Sequence, residues 1–201
     1  FYENIIGRSE AFIHFVYPKL QEISGDTFSD VSERELYEAV NIARPSLIRT
    51  EADELTYSLH ILIRYELEKL MLNGEITVDE IPVLWNAKYK EYLGVDVPDD
   101  THGCLQDSHW SGGDMGYFPS YALGSAYGAQ MLAKMKEEID VDAVAASGSL
   151  KPISDWLGKR IYQYASMYDP DVIFEKTCGA PFDPTYYTDY LEKKYGDIYK
   201  L

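Results

Sequence analysis

The sequence predicts an all-α protein, a multi-helix lobe, from two kinds of pattern. Apolar residues recur at the three- and four-residue spacing of a buried helix face along most of the 201 residues. Residues typical of helix starts flank those segments: Ser32 with Glu35, and Thr77 with Glu80, form capping-box pairs that satisfy free N–H groups. No internal repeat or low-complexity linker interrupts the chain, so a single lobe is the simplest organisation.

Most of the predicted helices have a sequence reason for at least one end. Proline breaks or kinks the first helix at Pro18 and stops the second at Pro45, and an Asn-Gly pair stops the third. Asp-Pro pairs open the last two helices. The predicted helices span residues 1–23, 32–45, 50–72 and 77–94, a small-residue stretch around 124–129, a segment through 156–161, and segments beginning at 170 and 184. Residues 95–119 lack a period and predict a long loop of the kind that often carries function.

Composition limits the partners that the protein could bind. Hydrophobic residues make up 46% and charged residues 26%, and 34 acidic against 18 basic side chains give a net charge of −16. Such a field repels phosphate backbones and anionic lipids, so we expect neither nucleic acid nor membrane as a partner. Cys104 and Cys178 alone cannot form a disulfide framework, which favours a cytoplasmic location.

A first candidate site lies just before the third predicted helix. Arg49 is followed four residues later by Asp53, and on a helix the two side chains could meet. A carboxylate that holds a guanidinium in place prepares it to bind an anion. The alternative is an ordinary solvated pair, because such pairs are common and weak.

A second candidate site lies in the predicted loop. The N–H of His109 and the hydroxyls of Tyr117 and Tyr121 could donate to an oxyanion, and Gln106 and Asp107 could orient them. The alternative is a turn-rich loop packed on its own aromatic side chains.

A metal site in the same loop has less support. His102, Cys104, Asp107 and His109 are permitted zinc ligands, but their spacing matches no zinc signature and the chain contains no HExxH motif. We therefore expect no metal ligand set and no bound cofactor within this chain.

Both candidate segments resemble signature motifs of the carboxypeptidase Taq family. Residues 48–53 match an I/V-R-x-x-A-D motif, and residues 103–110 match G-x-x-Q-D-x-H-W at every fixed position. Further similarity at residues 85–89, 117–121 and 190–196 extends the resemblance over nearly the whole chain.

The resemblance implies an α-helical, saddle-shaped, zincin-like peptidase, a homodimer that uses Zn²⁺ to remove C-terminal residues from peptides with a free C-terminus. In that family the zinc ligands and the general base lie in an HExxH helix and a later H-E-S-x-S-R segment. The chain starts at Phe1 without methionine, inside an apolar pattern. We therefore expect residues 1–201 to be the C-terminal helical part, one wall of the groove, inactive alone because the catalytic segment lies upstream.

The resemblance also implies roles for single residues. Oxyanion stabilisation falls to His109, helped by Tyr117 or Tyr121, and recognition of the free C-terminus falls to Arg49. The remaining expected site residues are Trp110 as a substrate contact and Asp53, Gln106 and Asp107 as orienting groups.

Two other functions fit the composition. A noncatalytic helical module for peptide binding or dimerisation, with a degenerate peptidase site, would keep the fold and lose the metal segment. A self-contained structural domain would leave the match at residues 103–110 unexplained.

Overall fold

A computed structural model describes residues 1–201 as a helical protein without β-strands, which confirms the all-α prediction. None of the helices combines the length and apolar content that crossing a bilayer would require. In chain order the α-helices are α1 (Glu10–Ser24), α2 (Glu33–Val40), α3 (Tyr57–Leu72), α4 (Ile81–Leu93), α5 (His109–Gly112), α6 (Pro119–Lys136), α7 (Val141–Ser147), α8 (Lys151–Arg160), α9 (Pro170–Cys178) and α10 (Thr185–Tyr199). Short π- or 3₁₀-helical turns lie at Tyr2–Ile6, Gly25–Phe28, Arg49–Glu51, Val78–Glu80 and Tyr162–Tyr164.

The chain divides into two compact units. The first contains residues 1–41 and 124–201, and the second contains residues 42–123. In the first unit, α1 packs against α2 and α7. Its buried core consists of Ile5, Ile6, Met135, Val141, Ala145, Ile153, Trp156 and Leu157.

The second unit is built on the packed pair α3 and α4 and holds every candidate site residue. The long loop after α4 is fastened to this pair, because Cys104 and Trp110 pack against the helices' shared core. Burial of these side chains stabilises a segment that has little regular structure of its own. The buried core residues of the pair are Ile63, Leu67, Trp85, Tyr89 and Leu93.

Several helix ends differ from the sequence prediction. The first segment is not one helix: Ser9 accepts a hydrogen bond from the Phe12 N–H at 3.1 Å and starts α1 afresh. That helix continues through Pro18. The carbonyl freed by this proline belongs to His14, and both residues are exposed, so water can satisfy it. Both capping boxes are confirmed.

The third helix begins later than predicted, at Tyr57 instead of residue 50. Arg49 lies in a separate 3₁₀ turn, Arg49–Glu51, and the backbone of the next residue, Ala52, is extended. Asp53 then stabilises the next turn, because its carboxylate accepts from both the backbone N–H and the hydroxyl of Thr56. Arg49 and Asp53 are therefore not one turn apart on a common helix.

Candidate functional site

Gln106 joins the two candidate segments. Its side-chain oxygen accepts hydrogen bonds from the Arg49 backbone N–H and from Arg64 Nη2, both at 2.9 Å. Its amide nitrogen donates to the carbonyl of Leu47 at 3.1 Å. One side chain thus connects the loop to the segment before α3 and to α3 itself.

Asp107 lies between two arginines. Its Oδ1 accepts from Arg49 Nε at 3.1 Å and from Arg49 Nη2 at 2.7 Å. Its Oδ2 accepts from Arg64 Nε at 2.7 Å and lies 2.6 Å from Arg64 Nη2. Each oxygen of the carboxylate therefore serves a different guanidinium, and both contacts are charge-assisted.

The two arginines differ in how many donors they have left. Arg64 is fully buried, and its other two N–H groups reach the His60 carbonyl at 2.8 Å and the Tyr89 hydroxyl at 3.2 Å. Each of its three nitrogen atoms therefore donates at least one hydrogen bond within the protein. Arg49 donates to Asp107 and, through Nη1, to the Tyr57 hydroxyl at 3.0 Å. Two of its five N–H groups remain without an acceptor.

This group of charges is not neutral. Burial disfavours the ionised form of Asp107, but the hydrogen bonds and charges of Arg49 and Arg64 outweigh it and lower the pKa of that carboxyl. The neighbouring imidazole of His60 adds no charge, since burial, reinforced by the charge of Arg64, lowers its pKa to about 4. Two guanidinium groups against one carboxylate leave one positive charge in excess.

Tyr121 links this charge to His109. The guanidinium carbon of Arg49 lies 4.9 Å from the centre of the Tyr121 ring, a cation–π arrangement. The hydroxyl of the same tyrosine lies 3.1 Å from His109 Nε2. The other imidazole nitrogen, Nδ1, is buried without a hydrogen-bond partner and lies 3.9 Å from Asp107 Oδ1.

Tyr117 covers His109 without bonding to it. Its ring stacks on the imidazole with centroids 5.9 Å apart and planes 22° apart, and half of the residue is exposed. The buried ring of Phe118 packs on His109 from closer range, 4.4 Å between centroids. Of the two predicted tyrosine helpers, Tyr121 is the one in hydrogen-bond contact with the imidazole.

Trp110 is anchored inside the unit. Its indole N–H donates to Glu68 Oε1 at 2.8 Å, and its ring meets Trp85 and Phe118 edge to face. The only polar atom of this side chain is therefore already paired, which limits any contact with a substrate to the ring.

Asp53 does not orient Arg49, and this prediction is wrong. Its carboxylate accepts from Thr56 and from the backbone N–H of Arg44, at 3.0 Å for the latter. The late start of α3 is the physical reason, because it removes the helical turn on which the prediction depended. Asp107 holds Arg49 instead.

The four possible metal ligands of the loop do not converge. His102 bonds to Asp99, with 2.8 Å between Nδ1 and Oδ1, and Asp107 is bound to its two arginines. No group of three or more His, Cys, Asp or Glu side chains in the chain is arranged to hold a metal ion. The donor set of these residues thus does not fit a metal centre.

Arg64 and Tyr57 are site residues that the sequence reasoning missed. Arg64 had a detectable signal, since it lies four residues after His60 and three before Leu67, on the buried face of α3. A charged residue on a buried face needs a partner of opposite charge, so the position of Arg64 predicts a carboxylate partner elsewhere in the chain. Tyr57 carried no comparable signal.

The chain is similar to known metallocarboxypeptidases. The family model described as Carboxypeptidase Taq (M32) metallopeptidase matches residues 1–195. Carboxypeptidase 1 of Bacillus subtilis is 46% identical over 202 residues, which cover 100% of this chain and 40% of that protein. Thermostable carboxypeptidase 1 of Thermus thermophilus is 41% identical over 199 residues, covering 98% of this chain and 39% of that protein.

A solved structure shows the same fold. The crystal structure of the M32 carboxypeptidase from Deinococcus radiodurans R1 superimposes with a TM-score of 0.95 at 35% identity, covering 99% of this chain and 40% of that one. The chain thus spans about two fifths of the length of the relatives that it matches. On the match of the family model to nearly all of its residues, the chain belongs to the carboxypeptidase Taq family of metallopeptidases.

Proposed function

We propose that this chain forms the substrate-side wall of a metal-dependent carboxypeptidase, which removes C-terminal residues from peptides. The observation that carries the proposal is the position of Tyr121, whose ring lies on the guanidinium of Arg49 and whose hydroxyl bonds His109. The proposed receptor for the terminal carboxylate, Arg49, thus lies next to the proposed donor to the oxyanion, Tyr121.

Arg49 has the properties that recognition of a chain end requires. A free α-carboxylate is what distinguishes the end of a peptide from an interior bond, so an exopeptidase needs a fixed cation for it. Arg49 stays charged, is held by Asp107 and Tyr57, and keeps two N–H donors for the two oxygens of a carboxylate. Because the guanidinium is already oriented, little conformational entropy is lost when substrate binds.

The spacing of the two groups suits an exopeptidase. In a carboxypeptidase substrate the scissile carbonyl belongs to the residue before the last. One residue of extended chain spans at most about 3.6 Å, so this carbonyl lies close to the terminal carboxylate. A protein that binds both must place its carboxylate receptor beside its carbonyl donor. The contact between Arg49 and Tyr121 supports this arrangement.

Tyr121 is the proposed donor to the carbonyl oxygen, and His109 orients it. A proton on His109 Nδ1 would have no acceptor within hydrogen-bond distance, whereas a proton on Nε2 has the oxygen of Tyr121. With the proton on Nε2, Tyr121 accepts from the imidazole and keeps its own O–H for substrate. Donors fixed in this way stabilise an oxyanion more than they stabilise the ground-state carbonyl.

The metal and the general base belong to other parts of the complete protein in this proposal. The family is one of metallopeptidases, and residues 1–201 provide no set of ligands for a metal. We propose zinc as that metal, a homodimeric enzyme and a cytoplasmic location, on the strength of the family resemblance and the two unpaired cysteines. The 201-residue chain alone is proposed to be inactive.

The test compares free-acid and C-terminally amidated peptides in the full-length enzyme. Arg49→Ala should lower kcat/KM on free-acid peptides by about 10- to 100-fold, the value of a charge-assisted contact of about 1.5–3 kcal/mol. On amidated peptides the wild-type enzyme should already be slow, and the substitution should change little.

Arg44→Ala is the matched control, because Arg44 is an exposed arginine of the same segment. It should leave both substrates unaffected. An Arg49→Ala enzyme that lost equally on acid and amide, or lost nothing, would show that Arg49 serves only the fold. A noncatalytic module would show no peptidase activity in the wild-type full-length protein.

A further inference from the structure

We propose that Arg64 is a positioning residue for carboxylate recognition. Because Arg64 shares Asp107 with Arg49, the carboxylate does not fully neutralise Arg49, which therefore still attracts an incoming anion. This inference rests on the proposed function and deepens it. It assigns to a fully buried arginine, which no substrate can touch, a share in selecting the substrate's C-terminus.

The division of the Asp107 carboxylate is the first observation. Arg49 takes Oδ1 and Arg64 takes Oδ2, with shortest contacts of 2.7 Å and 2.6 Å. A carboxylate bound by a single arginine would form a neutral pair with little attraction for a further anion. Shared between two, it neutralises only part of each positive charge.

The second observation is that Arg64 has no means of binding a ligand itself. Its side chain is inaccessible to solvent, and each of its three nitrogen atoms is bound within the unit. Its guanidinium carbon also lies 4.5 Å from the centre of the Trp85 ring and 5.3 Å from that of Phe118. Any effect of Arg64 on a ligand must therefore pass through Asp107 and through its electric field.

The third observation is where the excess charge can act. Arg49, Arg64 and Asp107 together carry one excess positive charge. Only Arg49 retains N–H groups without a partner, so an anion can bind to this charge only at the Arg49 guanidinium. The two carboxylates that follow Arg64 on α3 have partners other than the two arginines: Glu66 pairs with Lys88, and Glu68 accepts a hydrogen bond from the indole of Trp110. A monoanion with two oxygens, such as a peptide's terminal carboxylate, would complete both the hydrogen bonds and the charge.

The experiment measures inhibition of the full-length enzyme by N-acetylphenylalanine and by N-acetylphenylalaninamide, and takes the ratio of the two inhibition constants as the acid preference. Arg64→Gln removes the positive charge and keeps hydrogen-bonding atoms. It should lower the acid preference by about tenfold, the effect of one charge at this range in a protein interior.

A second substitution separates charge from structure. Adding Asp107→Asn to Arg64→Gln removes the negative charge as well and leaves Arg49 as the only charge of the three. The double variant should recover an acid preference within about threefold of wild type. Damage to the fold alone would weaken both inhibitors alike and would not be repaired by a second core substitution, and that result would overturn the proposal.

A variant that keeps the charge guards against failure to fold. Arg64→Lys loses the planar fork and should lower the unfolding temperature, yet it should retain most of the acid preference. Loss of preference in the lysine variant, or full preference in Arg64→Gln, would overturn the role of Arg64 and leave that of Arg49 standing. A wild-type enzyme that bound acid and amide equally would instead overturn the proposed function.

Discussion

Arg49 Nη2 lies 2.7 Å from Asp107 Oδ1, in an ion pair between residues 58 positions apart in the sequence. This contact fixes the loop after α4 to the turn before α3, and it replaces the local pair with Asp53 that the sequence suggested. The two acidic residues therefore have different partners: Asp107 holds the Arg49 side chain, and Asp53 accepts from the Thr56 backbone.

Asp53→Ala should destabilise the protein without changing substrate selection. The substitution removes the acceptor for the Thr56 N–H and hydroxyl, so we expect a loss of about 1 kcal/mol in the free energy of unfolding. Urea unfolding measures this loss, and Asp53→Asn should largely avoid it because asparagine caps equally well. An Asp53→Ala enzyme with normal stability and a reduced acid preference would return Asp53 to the anion site.

The two tyrosines near His109 should differ sharply when each loses its hydroxyl. Tyr121→Phe keeps the ring on Arg49 and removes the O–H, so kcat of the full-length enzyme should fall by about 10²- to 10³-fold with little change in KM. Tyr117→Phe is the matched control and should leave kcat nearly unchanged, because no hydrogen bond joins that residue to the imidazole.

A double-mutant cycle tests whether His109 acts through Tyr121. If it does, His109→Gln should cost much less kcat in the Tyr121→Phe background than in the wild-type enzyme, since the hydroxyl that it orients is gone. Fully additive losses would mean that the imidazole contacts the substrate directly. A strong effect of Tyr117→Phe would exchange the roles of the tyrosines.

Most of the helical architecture was readable from local sequence. The capping boxes at Ser32 and Thr77 predicted helix starts correctly because they depend on residues three apart. The short helix α7 was missed. It depends on Asp140, which accepts from the Ala143 N–H at 3.0 Å, and on Gly148 with a positive φ of 70° at its end. The helix between these two residues contains only 7 residues, too few for a period of apolar residues to appear.

Most residues of the candidate site could be identified from the sequence, but the contacts between them could not. Arg49, Gln106, Asp107 and Tyr121 were identified from motifs, and the structure brings all of them together. Their partners could not be derived, because contacts across 57 or 58 residues depend on how the loop folds back over α3. Arg64 was missed, although a charge on a buried helix face demands a distant counter-charge and so predicts such a contact.

His60 should make the stability of the protein depend on pH below neutrality. It is fully buried, with 3.0 Å between Nδ1 and the Tyr89 hydroxyl, and its pKa in the folded state is lowered to about 4 by burial and by the charge of Arg64. The unfolded chain binds a proton at an ordinary pKa of about 6.5. Between these values only the unfolded state is protonated, so the stabilising contribution is complete above about pH 6.5 and is lost as the pH falls toward 4.

Urea unfolding at pH 7 and pH 4.5 measures this contribution. From the two pKa values, the His60 contribution to the free energy of unfolding should fall by about 2–3 kcal/mol between those conditions. His60→Asn should remove that part of the pH dependence. Tyr89→Phe should keep it, because burial is the larger cause of the shift and the imidazole remains. Arg64→Gln should reduce the pH dependence, because the positive charge that also lowers the pKa of His60 is removed. If His60→Asn showed the same pH dependence as wild type, the carboxyl groups alone would account for the loss in acid, and His60 would be protonated in the folded protein.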